Sequence, residues 1–141
     1  MIQSVTELPF NRHVGIQQAE SSEHMLQLPA GPQFLNHVGT VHASAQLALA
    51  GASSGEFLLR HFGPDSGIVP VVRRVEAKFR KPASGQLTST IKTPIADVVQ
   101  LQTELAAKGR SFVSISVDLH DESGQHTLEA SFEWFVVSAL R

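Results

Sequence analysis

Residues 36–51 read Asn-His-Val-Gly-Thr-Val-His-Ala-Ser-Ala-Gln-Leu-Ala-Leu-Ala-Gly. Asn36, His37 and Gly39 give the start of this stretch a turn composition. Thr40 is the expected N-cap of a helix running from about Val41 to Arg60. That helix is apolar on nearly every side, so it must be buried on nearly every side. Its first turn leaves backbone N–H groups without intrahelical acceptors, and such an end favours negative charge. A polar cluster there is a place to hold an oxyanion.

The rest of the chain supplies what buries the helix. His13–Gln18 and His24–Leu28 alternate roughly in polarity and read as two strands joined by the polar turn 19–23. Residues 4–10 form a short turn or helix before them. Pro29 to Pro32 is a loop by its breakers. After the helix, residues 63–67 turn the chain into Ile68–Arg80, where Val69, Val71, Val75, Ala77 and Phe79 alternate with charged residues and Arg73 interrupts the apolar side. Gln86–Lys92 is another strand. Thr93 and Pro94 open a second, shorter helix over about 94–108, closed by Gly109. Ser111–His120 and Gln125–Val137 flank Asp121-Glu-Ser-Gly124, a hairpin-turn composition. The order is strand, strand, long helix, then four strands with one added helix. No regular βαβ alternation occurs, which argues against a Rossmann-type sheet. The expected fold class is α+β, with an antiparallel sheet wrapped around one long buried helix.

Composition narrows the function. The 141 residues fit one domain spanning 1–141. There is no cysteine, which excludes a thiolate nucleophile, a disulfide framework and Cys-ligated metal. Lys and Arg number 11 against 13 Asp and Glu, so the electrostatic footprint of a nucleic-acid binder is missing. Residues 1–7 lack the basic and apolar regions of a signal peptide. No apolar run is long enough to span a membrane. A cytoplasmic location is the expectation. His37 and His42 are not accompanied by a third ligand at diagnostic spacing, so no metal is assigned.

The order of elements and three motifs resemble the hotdog fold of acyl-CoA thioesterases, especially the phenylacetate-pathway type and uncharacterised thioesterase-like relatives. In that type an asparagine precedes a glycine by three residues and a His-Gly pair by six and seven. A catalytic Asp or Glu follows the asparagine by fifteen. Asn36, Gly39, His42 and Ala43 fall at the matching offsets, and Gly51 falls at the acid. Glu76-Ala-Lys-Phe-Arg-Lys-Pro-Ala83 is similar to the family's strand ending in an aromatic, a base and Pro-Ala. Gly109–Ser111 through Asp118–Gly124 resembles its closing strand-turn-strand. The likeness covers most of residues 13–138.

The resemblance implies that the backbone N–H of Ala43 polarises a thioester carbonyl, that Asn36 positions substrate or water, and that Gly39 and His42 shape the same turn. The plainer reading makes Asn36 a turn residue and His42 a satisfied histidine at a helix start. Gly51 can be neither base nor nucleophile. Losing such a group typically costs ~10²–10⁴ in rate, whereas an oxyanion hole alone contributes ~10²–10³. Glu56, the nearest carboxylate, is about 140° away around the helix. Asp65 lies in the following loop. Ser44, Ser53 and Ser54 have no identifiable base. Ser44, Ala48, Gly51 and Gly55 share a small-residue face, suited either to close packing or to a pantetheine arm or acyl chain. The basic run Arg73, Arg74, Lys78, Arg80 and Lys81 fits either a solvated strand face or CoA phosphates. Arg80 and Lys81, at the strand end, are the residues the resemblance places near the nucleotide.

Three functions follow from this reading. The first is an acyl-CoA thioester hydrolase or thioesterase-like protein, impaired by Gly51. It would be homodimeric, with the option of pairing into tetramers, and its site would lie at the subunit interface. The second is a non-catalytic acyl-CoA or acyl-carrier binding module. A hotdog dehydratase is the third and weakest, since the histidine-proline-proline-glycine arrangement of that type is not seen. No cofactor is expected beyond acyl-CoA as substrate or ligand, and neither nucleic acid nor membrane is an expected partner.

Overall fold

The computed structural model describes residues 2–139. A 3-10 turn at Val5–Glu7 leads into α1 (Pro9–Val14), β1 (Gln17–Gln18) and β2 (Leu26–Leu28). A second 3-10 turn at Pro32–Phe34 precedes the long helix α2 (Ala43–Phe62). Then follow β3 (Ile68–Phe79), β4 (Leu87–Ile91), α3 (Ile95–Lys108), β5 (Arg110–His120) and β6 (His126–Ser138). The six strands form one antiparallel sheet in the order β1-β2-β4-β5-β6-β3.

α2 lies across the concave face. Leu49, Ala50 and Leu58 are buried against the inward residues Leu26, Leu28, Leu87, Ile115, Val117, Leu119 and Leu128. Strict alternation on β5 produces this: Val113, Ile115, Val117 and Leu119 are buried while Phe112 and Ser114 face out. Ser53 ties helix to sheet, donating to Leu49 O at 2.7 Å and pairing with Ser89 of β4 at 2.6 Å. α3 covers the end of β5 with Val98, Leu101 and Leu105. Gly109, in the left-handed region at φ 77°, ends it as expected.

Three sequence expectations need correction. His13–Gln18 is not a strand. Pro9 at the first turn and Gly15 at φ 96° bracket a helix instead, and only Gln17–Gln18 pairs in the sheet. The short alternating run was compatible with either period. The long helix spans 43–62 rather than 41–60. Its cap is His42, because Val41 is held extended by a bridge to Leu35 and by its N–H on Ala83 O at 2.9 Å. The added helix begins at Ile95, with Pro94 at the cap position. The Thr93 hydroxyl instead accepts from Ser116 N–H at 2.8 Å, fastening the loop to β5.

Arg73, the interruption in the β3 pattern, sits at a bulge between Val72 and Arg74. The extra residue re-aims its side chain, placing the guanidinium 5.0 Å from the Phe112 ring centre. β3 pairs only with β6, so it is a sheet edge. Val72, Val75, Ala77 and Phe79 stand opposite Trp134, Phe132, Ala130 and Leu128 and therefore share the concave face. α2 does not reach that far, and Val72, Val75 and Phe79 remain 42–45% exposed.

Candidate functional site

The turn that begins at Asn36 is built by Asn36 itself. Its Oδ1 accepts from the N–H groups of Val38 and Thr40, both at 3.0 Å, and its Nδ2 donates to Thr40 Oγ1 at 2.9 Å. Gly39 closes the turn at φ 82°, a conformation that favours glycine. His42 N–H donates to Phe34 O at 2.7 Å, aligning the chain with the helix axis. His42 Nδ1 then accepts from Ser44 N–H at 2.9 Å, so the imidazole caps the helix and carries its proton on the other nitrogen. Ser44 is thus engaged through its backbone, and its side chain stays exposed.

The N–H of Ala43 is left over. It opens the helix and has no acceptor among the described residues. Ala43 lines a cavity of about 280 Å³ together with Asn36, Thr40, Val41, Gln46, Phe79, Arg80, Lys81 and Pro82. Four residues singled out in the sequence, Asn36, Ala43, Arg80 and Lys81, therefore meet in one place. Gln46 was not singled out. The signal was available: it is the one polar residue between Ala45 and Ala52, where the rest of the helix is apolar. The Arg80 guanidinium pairs with Glu129 at 3.4 Å on the convex face, which leaves Lys81 as the cation at the cavity with no ion pair among the described residues.

Gly51 lies about 12 Å farther along the helix, at 1.5 Å per residue. It lines a second, apolar cavity of about 310 Å³, together with Leu8, Phe10, Asn11, Ala48, Gly55, Phe132 and Trp134. Aromatic rings stand beside both glycines at ordinary contact distance, so packing alone does not require glycine at either position. A Cβ at Gly51 would lie 3.4 Å from the Phe132 ring, and one at Gly55 would lie 3.6 Å from Trp134. Trp134 is fixed by donating to Ser54 Oγ at 3.1 Å, while Ser54 donates to Gly51 O at 2.7 Å. Neither cavity is lined by a carboxylate or an imidazole among the described residues.

Glu56 points away from both cavities and is buried. It accepts from Ser4 Oγ at 3.0 Å, Val5 N–H at 3.0 Å and Gln18 Nε2 at 3.3 Å, and pairs with Arg60 at 3.2 Å. It thereby holds the N-terminal segment that walls the apolar cavity. On the convex face, Asp118, His126 and Glu129 place donor atoms within 4.8 Å of one another. Lys92 at 3.8 Å from Asp118 and Arg80 beside Glu129 already supply cations, so the cluster is an ion-pair lattice. Asp121 organises the 121–124 turn. Burial alone would push its carboxyl up, but hydrogen bonds from Ser123 Oγ and from the N–H groups of Ser84, Gln125 and Ser123 hold it below its ordinary value.

A sheet curled around one helix, with an unpaired amide at that helix's start, defines a protein of the hotdog class, the fold of acyl-CoA thioesterases. Comparison with known proteins then fixes the family. Residues 5–136 match the DUF4442 family, a domain of unknown function, and the chain belongs to it. No functionally curated protein matches the sequence. A protein of unknown function from Pseudomonas aeruginosa, called a probable thioesterase, is 28% identical with a TM-score of 0.79 over 95% of this chain and 91% of its own. A thioesterase from Haemophilus influenzae is 19% identical, with a TM-score of 0.72 over 97% and 88%. A protein from Bacillus halodurans solved with CoA is 21% identical, with a TM-score of 0.62 over 86% and 75%. The last two show the shared fold. No helix of the described residues is long and apolar enough to cross a membrane.

Proposed function

We propose that this protein binds acyl thioesters, with CoA as the carrier, and hydrolyses them slowly. The observation that carries the reading is Ala43, whose N–H at the start of a buried helix has no acceptor among the described residues and which lines a cavity with Asn36 and Lys81. A preorganised backbone donor in such a place stabilises the oxyanion that forms when a thioester carbonyl is attacked. In the mechanism, the carbonyl oxygen sits on the Ala43 N–H, aided by the positive end of the α2 dipole. Asn36 holds the turn that aims this donor. Lys81, joined by Arg80 if it leaves Glu129, meets the phosphates. The acyl group runs toward Gly51 and Gly55. With glycine at 51, the attacking water has no carboxylate to take its proton, which sets the rate low.

The same absence favours a second reading, a binding module that keeps the thioester without turning it over. One experiment separates the two. Purified protein is assayed for thiol release from a panel of acyl-CoAs, and the same samples are titrated with a non-hydrolysable thioether analogue. Turnover that depends on Ala43 supports the hydrolase. Saturable binding without turnover supports the module. Neither signal contradicts both.

Homodimerisation through β3 belongs to the same proposal. The uncovered concave residues of β3 and the free edge are what a partner would cover, and Phe79 lines the cavity directly.

A further inference from the structure

We infer that Gln46 is a specificity-determining residue of the thioester site: it reads the amide N–H that follows the thioester sulfur in the carrier arm. The inference rests on the thioester reading above and names a contact within that site.

Gln46 is 4% exposed and lies on α2, three residues after Ala43. Among the described residues its Nε2 makes only a long 3.5 Å contact to Val41 O, and its Oε1 has no partner. A buried, unpartnered amide oxygen is destabilising. The other buried polar side chains of α2, Ser53, Ser54 and Glu56, all have hydrogen-bond partners, so Gln46 is the exception on this helix. Gln46 lines the same cavity as Ala43. Beside the cavity there are therefore two complementary groups, a donor at Ala43 and, in the buried amide of Gln46, an acceptor without a partner among the described residues. The terminal torsion of glutamine is soft, so Oε1 turns toward a ligand at small cost.

Residues three apart on a helix stand about 5–6 Å apart at Cβ. In a CoA thioester, sulfur and two methylenes separate the carbonyl carbon from the first amide nitrogen. When the carbonyl oxygen is on Ala43 N–H, that spacing brings the amide N–H to Gln46. A side-chain amide cannot remove a proton from water, so Gln46 orients the ligand and performs no chemistry.

The test uses two probes that differ by one group. They are an acyl thioester of N-acetylcysteamine and the matching thioester of 2-mercaptoethyl acetate, in which an ester oxygen replaces the N–H. Their affinities are measured by titration with the intact protein and with Gln46→Met, a variant of similar volume. The wild type should prefer the amide probe by about tenfold or more, as expected when a buried acceptor is left unpaired. Gln46→Met should bind both alike. Its melting temperature should be equal to or above that of the wild type, because the unpaired oxygen is gone; a structural role would lower it. Equal binding of both probes by the wild type, or an undiminished preference in Gln46→Met, overturns the role of Gln46 and leaves thioester binding standing. Should the wild type bind neither probe but bind the thioether analogue of acyl-CoA, the role of Gln46 falls and thioester binding stands; if it binds none of the three, both readings fall. Gln46→Leu repeats the comparison if the methionine variant does not fold.

Discussion

At the scale of single residues, two positions carry opposite lessons. The family resemblance puts a carboxylate at the position of Gly51, and a Cβ built there would meet the Phe132 ring at an ordinary contact distance of 3.4 Å. If the cavity is a thioester site without its base, Gly51→Asp or Gly51→Glu should raise acyl-CoA hydrolysis at least tenfold, the low end of general-base effects. Gly51→Ala, which adds only the Cβ, should leave the rate unchanged. Thiol release measures all three, and no gain in either acidic variant counts against the placement of residue 51. Asp121 is an acid with a structural task. Its folded-state pKa is depressed, so its contribution to stability is present above the ordinary value of about 3.9 and is lost as pH falls through the folded value. Asp121→Asn should lower the melting temperature at neutral pH. Its melting curve should also vary less than that of the wild type below about pH 4. The Asn36, Gly39, His42 and Ala43 cluster was legible in the sequence because its spacing lies within one turn and one helix start. Gln46 shows in the sequence only as a lone polar residue in an apolar stretch; its unpartnered amide oxygen is legible only in the structure.

At the scale of elements, the long helix, the four strands after it and the added helix followed from periodicity and from Gly and Pro at their ends. Residues 4–10 read as a turn or helix and are one, but His13–Gln18 reads as a strand because what decides its structure is remote. Glu56, some fifty residues away, collects Ser4, Val5 and Gln18, and Asn11 Nδ2 donates to Val5 O at 2.9 Å. Helix α1 is thus a short piece held by tertiary hydrogen bonds, since six residues cannot hold a helix alone. Glu56→Ala should cost about 2 kcal/mol or more, because it leaves buried donors unpaired. Chemical denaturation measures this loss. Amide exchange should show residues 4–16 opening first, while β5 and β6 stay protected. Uniform loss of protection across the sheet would contradict a local anchor.

At the scale of the whole molecule, the unresolved balance of the fold is the β3 edge. A strand whose concave residues Val72, Val75 and Phe79 stay uncovered invites pairing with a second copy. Phe79→Asp should convert a dimer to a monomer in light scattering and, because Phe79 also lines the cavity, weaken thioester binding in step. A wild-type monomer would contradict the dimer proposal. The central claim concerns the Ala43 N–H, and proline can delete that one atom pair. Position 43 is the first of the helix, where proline is tolerated and no helical bond is lost. His42, with φ −59° and ψ 139°, already has the extended backbone that a following proline requires. The decisive measurement is therefore thioester turnover by wild type and Ala43→Pro side by side, with melting temperature as the control. The account predicts a fall of about 10²–10³ in kcat at unchanged stability. Undiminished turnover in a folded Ala43→Pro variant would contradict it.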